Sequence, residues 1–405
     1  MHYLSHLECP KCNTTFPADE VQTYCHECDA PLLARYDLEA ISQALPKSEL
    51  SSRKPDMWKY RELLPVKEDE NIVTLGEGMT PLHNLEKVTR KLGLGEVYVK
   101  DDGIIPTGSF KARGLSMAVS RAKELGIERV AMPSAGNAAG ALSAYGAKAG
   151  MEVVVAMPQD APVSCALESY LFGANVYLVQ GLISDAGSII NEGKETYGWF
   201  DVSTTKEPYR VEGKKTMGLE LAEQFNWQLP DAIIYPTGGG TGIIGMWKAF
   251  QEMSEMGWIE GDLPKMVVVQ SRGCAPLVEA FKANRRHSTG WDDPHTMAGG
   301  IRVPQAFGDF LVMDAVYESD GCAVSVSDGQ MLSSAKELYS EGVEVCPEGA
   351  ATLAGLKELT EEGEFSEQDR VLLYNTGTGI KYTQEYQENL EVDLPVIESA
   401  NEIDL

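Results

Sequence analysis

The chain has 405 residues, 43% hydrophobic and 23% charged, ordinary values for a globular protein but too long for one simple core, so two or three domains are expected. Its 34 basic and 61 acidic residues leave a net charge of −27, which argues against nucleic acid or an anionic membrane as partner for the chain as a whole. No apolar run approaches 18 residues, and Met1-His2-Tyr3-Leu4 is neither basic nor apolar, so no membrane span and no secretion are expected, and a cytoplasmic protein is.

Cys9, Cys12, Cys25 and Cys28 come first along the chain, in the spacing C-x2-C-x12-C-x2-C. Each C-x2-C pair makes a tight knuckle, and four thiolates complete a tetrahedron, so residues 1–37 read as a zinc ribbon with a structural Zn2+. Two disulfides are the alternative, disfavoured in a cytosolic chain. The ribbon holds Lys11 and Arg35 among Glu8, Asp19, Glu20, Glu27 and Asp29, so no basic stripe marks it as a nucleic-acid module. Cys165, Cys274, Cys322 and Cys346 are scattered and read as small buried hydrophobes. A short helix is predicted over Leu38–Leu45.

From Thr74 onward apolar strands alternate with helical stretches. Strands are predicted at Val97–Val99, Val130–Met132, Val153–Met157, Val176–Val179, Ile233–Tyr235, Met266–Val269 and Val371–Tyr374. Helices are predicted at Ser116–Leu125, Ala138–Ala149, Val163–Phe172, Lys215–Phe225, Gly242–Met253, Gln330–Tyr339 and Ala350–Leu359. This alternation implies an α/β fold with parallel sheets covered on both faces. Ligands then bind beyond the carboxyl ends of the strands, where distant motifs converge on one cleft.

Three motifs follow such strands. Pro106-Thr107-Gly108-Ser109-Phe110-Lys111 sets a lysine at a helix start beside a glycine and an aromatic ring, which suits covalent capture of a flat aldehyde cofactor. Pro133-Ser134-Ala135-Gly136-Asn137-Ala138 opens the next helix, whose unpaired N–H groups can meet a carboxylate. Gly238-Gly239-Gly240-Thr241-Gly242 follows a strand and opens another, a cradle for phosphate. An aldehyde, a ring and a phosphate together describe pyridoxal 5'-phosphate. A rival reading takes Gly240-x-Gly242-x-x-Gly245 as a dinucleotide fingerprint of an NAD-dependent oxidoreductase. Its expected ribose acid, Glu252, comes too early and lies in the same helix, and Lys111 and Asn137 are left idle.

P-T-G-S-F-K, then S-x-G-N, then G-G-G-T-G resembles the fold-type II pyridoxal-phosphate enzymes, and among them the threonine synthase family. Leu75-Gly76-Glu77-Gly78-Met79-Thr80-Pro81-Leu82, Ala298–Pro304, Glu348-Gly349-Ala350-Ala351 and Thr376-Gly377-Thr378-Gly379-Ile380-Lys381 carry the likeness from Cys9 to Lys381. The resemblance implies two three-layer parallel-sheet domains of the tryptophan synthase β type. A large cofactor-binding domain would span 38–109 and 201–385, a small α/β domain 110–200, and an acidic tail 386–405. Lys111 is then the catalytic lysine, with Phe110 beside the cofactor ring. Asn137 would bond the ring hydroxyl, Gly238, Gly239, Gly240, Thr241 and Gly242 the phosphate, and Thr376 the pyridine nitrogen. Thr107, Ser134, Ala135, Gly136, Ala138 and Arg210 would meet a small amino-acid substrate, and a homodimer is compatible with this reading.

The implied reaction converts O-phosphohomoserine and water to threonine and phosphate. The family's N-P-x-R-L-E-G segment reads Glu207-Pro208-Tyr209-Arg210-Val211-Glu212-Gly213 here, with an acid in place of an amide. Its G-N-F-D-D segment reads Gly181-Leu182-Ile183-Ser184-Asp185, its K-D-R-G reads Lys111-Ala112-Arg113-Gly114, and Ala161–Cys165 lacks the family's lysine. An acid at 207 is expected to repel a substrate dianion unless Arg210 or Arg302 neutralises it. That leaves two alternatives on the same scaffold: β-replacement on O-phosphoserine, as in cysteate synthase-like enzymes, and a serine/threonine dehydratase.

Overall fold

The computed structural model describes residues 2–390, 394 and 396–399. The N-terminal module is built of short antiparallel strands: β1 (Leu4–Glu8), β2 (Thr15–Phe16), β3 (Tyr24–Cys25), β4 (Ala30–Pro31) and β5 (Leu33–Tyr36). They form a three-stranded sheet in the order β2-β1-β5 and a β3-β4 ribbon. Helix α1 (Leu38–Ala44) follows, its first turn capped by the Asp37 carboxylate, which accepts from Ala40 N.

A six-stranded sheet forms the larger body. β6 (Leu82–Asn84), α2 (Glu86–Leu92), β7 (Glu96–Asp101) and α3 (Lys111–Glu124) lead into a second sheet. That four-stranded sheet holds β8 (Arg129–Pro133), β9 (Glu152–Pro158), β10 (Asn175–Val179) and β11 (Phe200–Asp201), ordered β10-β9-β8-β11 and parallel throughout. Its connecting helices are α4 (Asn137–Ala149), α5 (Val163–Leu171) and α6 (Ile183–Tyr197).

Helix α7 (Tyr209–Gln224) returns the chain to the first sheet. There follow β12 (Ala232–Pro236), α8 (Thr241–Glu255), β13 (Lys265–Ser271), α9 (Pro276–Lys282), α10 (Asp309–Glu318), β14 (Ala323–Val326), α11 (Asp328–Ser340), α12 (Pro347–Glu361), β15 (Arg370–Asn375) and α13 (Thr383–Leu390). The strand order is β14-β13-β12-β15-β7-β6, with only β6 antiparallel to its neighbour. β12, β13 and β15 are near-continuous buried apolar runs, because helices cover both faces of the sheet.

The predicted strands and helices all form, with shifted ends. Helix α7 begins at Tyr209, six residues before the predicted Lys215, because the Glu207 carboxylate accepts from Tyr209 N and Arg210 N, 2.8 Å each, and caps the helix start. Helix α6 over Ile183–Tyr197 was not predicted, since Ser184, Asp185 and Asn191 interrupt its apolar pattern. The acidic tail lies largely outside the described residues, its first part closing α13.

Helix α7 is buried on nearly every side although it carries Arg210, Glu212, Lys214, Lys215 and Glu220. Buried charges persist only when paired, and two clusters supply pairs here. Arg113 from α3 holds Asp102 and Glu220, and Lys100 also holds Glu220 at 3.0 Å. Lys215 and Lys248 hold Glu212 and Glu252, and Tyr36 of the N-terminal module donates to Glu212 at 2.7 Å, docking β5 on α7. Among the described residues no helix is long and apolar enough to cross a membrane.

Candidate active site and four-cysteine cluster

The four cysteines of the N-terminal module meet at one point, their sulfurs within 4.8 Å of one another and all unbridged. Neighbouring sulfurs stand 3.4–3.7 Å apart, far beyond a disulfide bond. An ion with four ligands at about 2.3 Å separates its ligands by about 3.8 Å, so the cluster has the size of a tetrahedral thiolate site. Those four cysteines can hold a metal ion.

The Lys111 loop is pinned to the end of β15. Phe110 N donates to Thr376 O at 2.9 Å, Thr378 N donates to Gly108 O at 2.9 Å, and Ser109 bridges Gly377. Thr107 and Gly108 both take positive φ, 61° and 60°. That is the left-handed region natural to glycine but costly for a β-branched residue, so tertiary contacts hold Thr107 there. The turn aims Lys111, the first residue of α3, into a half-buried spot. Burial and the nearby Arg210 charge bring its amine down to about 7, opposed by Glu348 and Cys346. A lysine poised near neutrality is a nucleophile at physiological pH.

A chain of contacts draws in the other motifs. Asn137 Nδ2 donates to Tyr382 Oη at 3.2 Å, Tyr382 donates to Glu348 Oε1 at 3.0 Å, and Gly300 N donates to the same oxygen at 2.6 Å. Gly300 in turn backs the glycine loop, since a Cβ on Gly238 would come within 2.8 Å of its carbonyl. A Cβ on Gly239 would meet Thr204, and one on Gly240, at φ 81°, would meet Val312. Gly238, against backbone, and Gly240, at positive φ, therefore have no room for a side chain, and α8 starts at Thr241 with no side-chain cap. Helix α4 likewise starts at Asn137 without one. Two helix starts with free N–H groups fit a phosphate and a carboxylate.

Buried polar atoms without protein partners mark the same region. They are Thr107 Oγ1, Ser109 Oγ, Asn137 Oδ1, Glu348 Oε2 and Arg210 Nε. Such groups cost free energy unless a ligand satisfies them. With the poised amine and the glycine cradle, they fit pyridoxal phosphate.

Some expected site residues have other duties. Gly242 leaves room for the Tyr235 ring, whose hydroxyl would lie 2.0 Å from a Cβ there. Ser134 N donates to Ala156 O at 3.0 Å, and its hydroxyl donates to Gly136 O and accepts from Gly136 N, 3.3 Å each, while Ala135, Gly136 and Ala138 flank the α4 start. Thr376 is buried with Cys346 Sγ 3.8 Å from its hydroxyl. Phe110 packs edge-on to Tyr235 at 6.2 Å. Arg210 donates to Val202 O at 2.9 Å, and it is the cation acting on Glu207, while Arg302 is exposed. Glu207 itself is buried and bonded to the backbone, so its acid serves the helix start.

Sequence reading missed Tyr382, and Lys214, whose amine donates to the Phe110 carbonyl beside Lys111, and named Glu348 only within a motif. Arg210 and Lys214 stand four apart on α7, a spacing that places both on one helix face and was legible. Nothing near Tyr382 signalled its role, which depends on the fold returning residue 382 to residue 137.

The chain matches the family described as pyridoxal-phosphate dependent enzymes over residues 73–377. The chain belongs to that family. A threonine synthase of Methanocaldococcus jannaschii is 38% identical over 376 residues, covering 92% of each chain. One from Methanosarcina acetivorans is 36% identical over 94% of this chain and 93% of its own, and one from Synechocystis is 32% identical over 85% and 87%. Among solved structures, maize serine racemase superposes with a TM-score of 0.68 at 21% identity, covering 84% of this chain and 99% of its own. At that identity the likeness shows the fold: α/β, with the parallel-sheet layers of this enzyme family.

Proposed function

We propose that this chain is a pyridoxal-phosphate-dependent lyase that converts O-phosphohomoserine and water to threonine and phosphate. The observation that carries the reading is the 38% identity to a threonine synthase along nearly the full length of both chains. When bound, the cofactor supplies an electron sink for charge developing on the substrate carbons. Lys111 would hold the cofactor, and its Nζ would carry protons to and from the substrate. The glycine loop at 238–240 with Thr241 and Gly242 would hold the phosphate, Asn137 would meet the ring hydroxyl and Thr376 the pyridine nitrogen, and Phe110 would lie beside the ring. Thr107, Ser134, Ala135, Gly136 and Ala138 receive the substrate carboxylate, and Arg210 supplies positive charge. This division of labour fits a large domain of 38–109 and 201–385 closing on a small domain of 110–200.

The test is to incubate the purified protein separately with O-phosphohomoserine, with O-phosphoserine plus sulfite, and with threonine. Phosphate and threonine from the first arm alone support the reading. Phosphate from the second arm alone means β-replacement, and keto acid from the third alone means a dehydratase.

Three further outcomes follow from the same geometry. Below pH 7 the rate of cofactor capture by the cofactor-free protein is expected to fall about tenfold per pH unit, because the free amine of Lys111 titrates near 7. A rate flat between pH 5 and 7 contradicts that. Glu207→Gln is expected to lose one of two backbone bonds and cost about 1 kcal/mol of stability without raising phosphate release from O-phosphohomoserine. A clear rise would mean that the acid does bear on substrate choice. Metal analysis of protein purified without chelator is expected to find about one zinc per chain, bound by Cys9, Cys12, Cys25 and Cys28 in a closed site with no open position for chemistry. Finding none rules it out.

A homodimer is compatible with the reading. The exposed apolar side chains of α5 and the edge strand β10, among them Leu171, Tyr177 and Leu178, offer it a face. Sedimentation giving a single-chain mass at micromolar concentration excludes it.

A further inference from the structure

Two lysine amines share one aromatic ring. Lys111 Nζ lies 4.2 Å from the centre of the Phe110 ring and Lys214 Nζ lies 3.9 Å from it. Lys214 comes from α7, is fully buried, and donates through its amine to the Phe110 carbonyl. Its approach to α3 is built into the Lys111 motif. A Cβ on Gly114 would sit 3.1 Å from Lys214 Cε and 3.2 Å from Arg210 O, so a glycine three residues after Lys111 lets the two helices close.

Among the described residues four other lysines are buried, and each holds a carboxylate: Lys59 with Glu223, Lys100 with Glu220, and Lys215 and Lys248 with Glu212 and Glu252. Among the described residues Lys214 has no such ion pair. The charged groups around it are Lys111 and Arg113 from α3, Arg210 from its own helix, and Asp102 from the turn after β7, which is already held by Arg113. Lys111 faces Arg210 from α7, Glu348 from α12 and Cys346 just before α12. Two ammonium ions over one ring, beside Arg210 and with Lys214 fully buried, repel each other with little to offset them. Burial first, then the charge on Lys111, holds Lys214 well below the usual lysine range.

We propose that Lys111 and Lys214 form a two-amine pair that holds one proton between them, with Lys214 a positioning residue that accepts the proton from Lys111 and returns it. In the transfer Lys111–NH3+ and Lys214–NH2 become Lys111–NH2 and Lys214–NH3+, and no other bond changes. The lone pair of Lys111 is thereby freed for covalent work while the proton stays in the site. The inference deepens the reading of Lys111 as the cofactor-linking residue and rests on it.

The test follows the reactivity of Lys111 in the full chain freed of cofactor, using trace acetic anhydride from pH 5 to 10 and mass spectrometry of the Lys111 peptide. Neither cofactor nor substrate enters this measurement, so it stands apart from any failure of the proposed reaction. Lys214→Met removes the second proton acceptor. The midpoint for Lys111 is expected to rise by half a pH unit or more, about a threefold loss of reactivity at pH 7. Lys214→Arg fixes a permanent charge beside Lys111, and the midpoint is expected to fall by about one unit, or tenfold. In the cofactor-loaded enzyme the acid limb of the pH profile should move in the same two directions. A purely structural role for Lys214 would not produce opposite shifts. Midpoints unchanged in both folded variants, or moving the same way, overturn the proposal. If the arginine does not fit, the methionine variant decides alone, and an unchanged midpoint there overturns it.

Discussion

Lys111→Ala is expected to abolish the visible absorbance of the lysine-linked cofactor and to cut turnover by at least about a thousandfold, since covalent activation is lost. The loop geometry makes this a sharp expectation. Two backbone bonds to the β15 end and the positive-φ pair Thr107 and Gly108 hold the amine in one place. Alanine changes none of these contacts, so the variant should keep its circular dichroism and melting temperature while losing activity. Borohydride treatment of the native protein should fix cofactor to the Lys111 peptide. If the variant still fixes cofactor at another lysine, Lys214 included, and turns over at the native rate, the assignment of Lys111 fails.

The second large effect is on stability. Arg113→Met is expected to destabilise the fold by about 3–5 kcal/mol, because it strands buried carboxylates. The Arg113 guanidinium meets Asp102 at 2.7 Å and Glu220 at 2.5 Å, and all three side chains are sealed from water. Lys100 remains for Glu220, but among the described residues Asp102 keeps only the Thr80 hydroxyl, at 2.7 Å. Arg113 and Lys100 together hold the Glu220 carboxyl down at about 2, although burial alone would raise it. Its folded value lies below its unfolded one, so its contribution is complete above about pH 4.5 and is lost as pH falls towards 2. In the variant that loss should begin at higher pH. Arg129→Met is the control, since its pair with Glu152 is half exposed and should cost less than about 1 kcal/mol. Urea unfolding of both variants at pH 7 measures the difference. A cost for Arg113→Met no larger than for Arg129→Met would mean that the cluster contributes specificity of packing and not stability.

The sequence by itself determined the local features of this protein. Strand and helix periodicity, the four-cysteine spacing and the three glycine-bearing motifs are short-range patterns, and each is set by backbone sterics or by the geometry of a turn. That is why the strand list, the cysteine cluster and the placement of Lys111, Asn137 and Gly240 at helix starts could be read without coordinates. Tertiary structure decided what those patterns face. Glu207 reads as a repelling acid in the chain and becomes a helix cap in the fold, because burial turns its carboxylate onto Tyr209 N and Arg210 N. Helix α7 carries many charges and is nonetheless buried, since Lys100, Arg113, Lys215 and Lys248 are matched to carboxylates on it. Tyr382 reaches Asn137 across 245 positions, and Lys214 reaches the Phe110 carbonyl across 104. Electrostatic matching of this kind is non-local. It depends on which charges share a desolvated volume, and only the packing of α3, α7 and α12 around the end of the sheet specifies that.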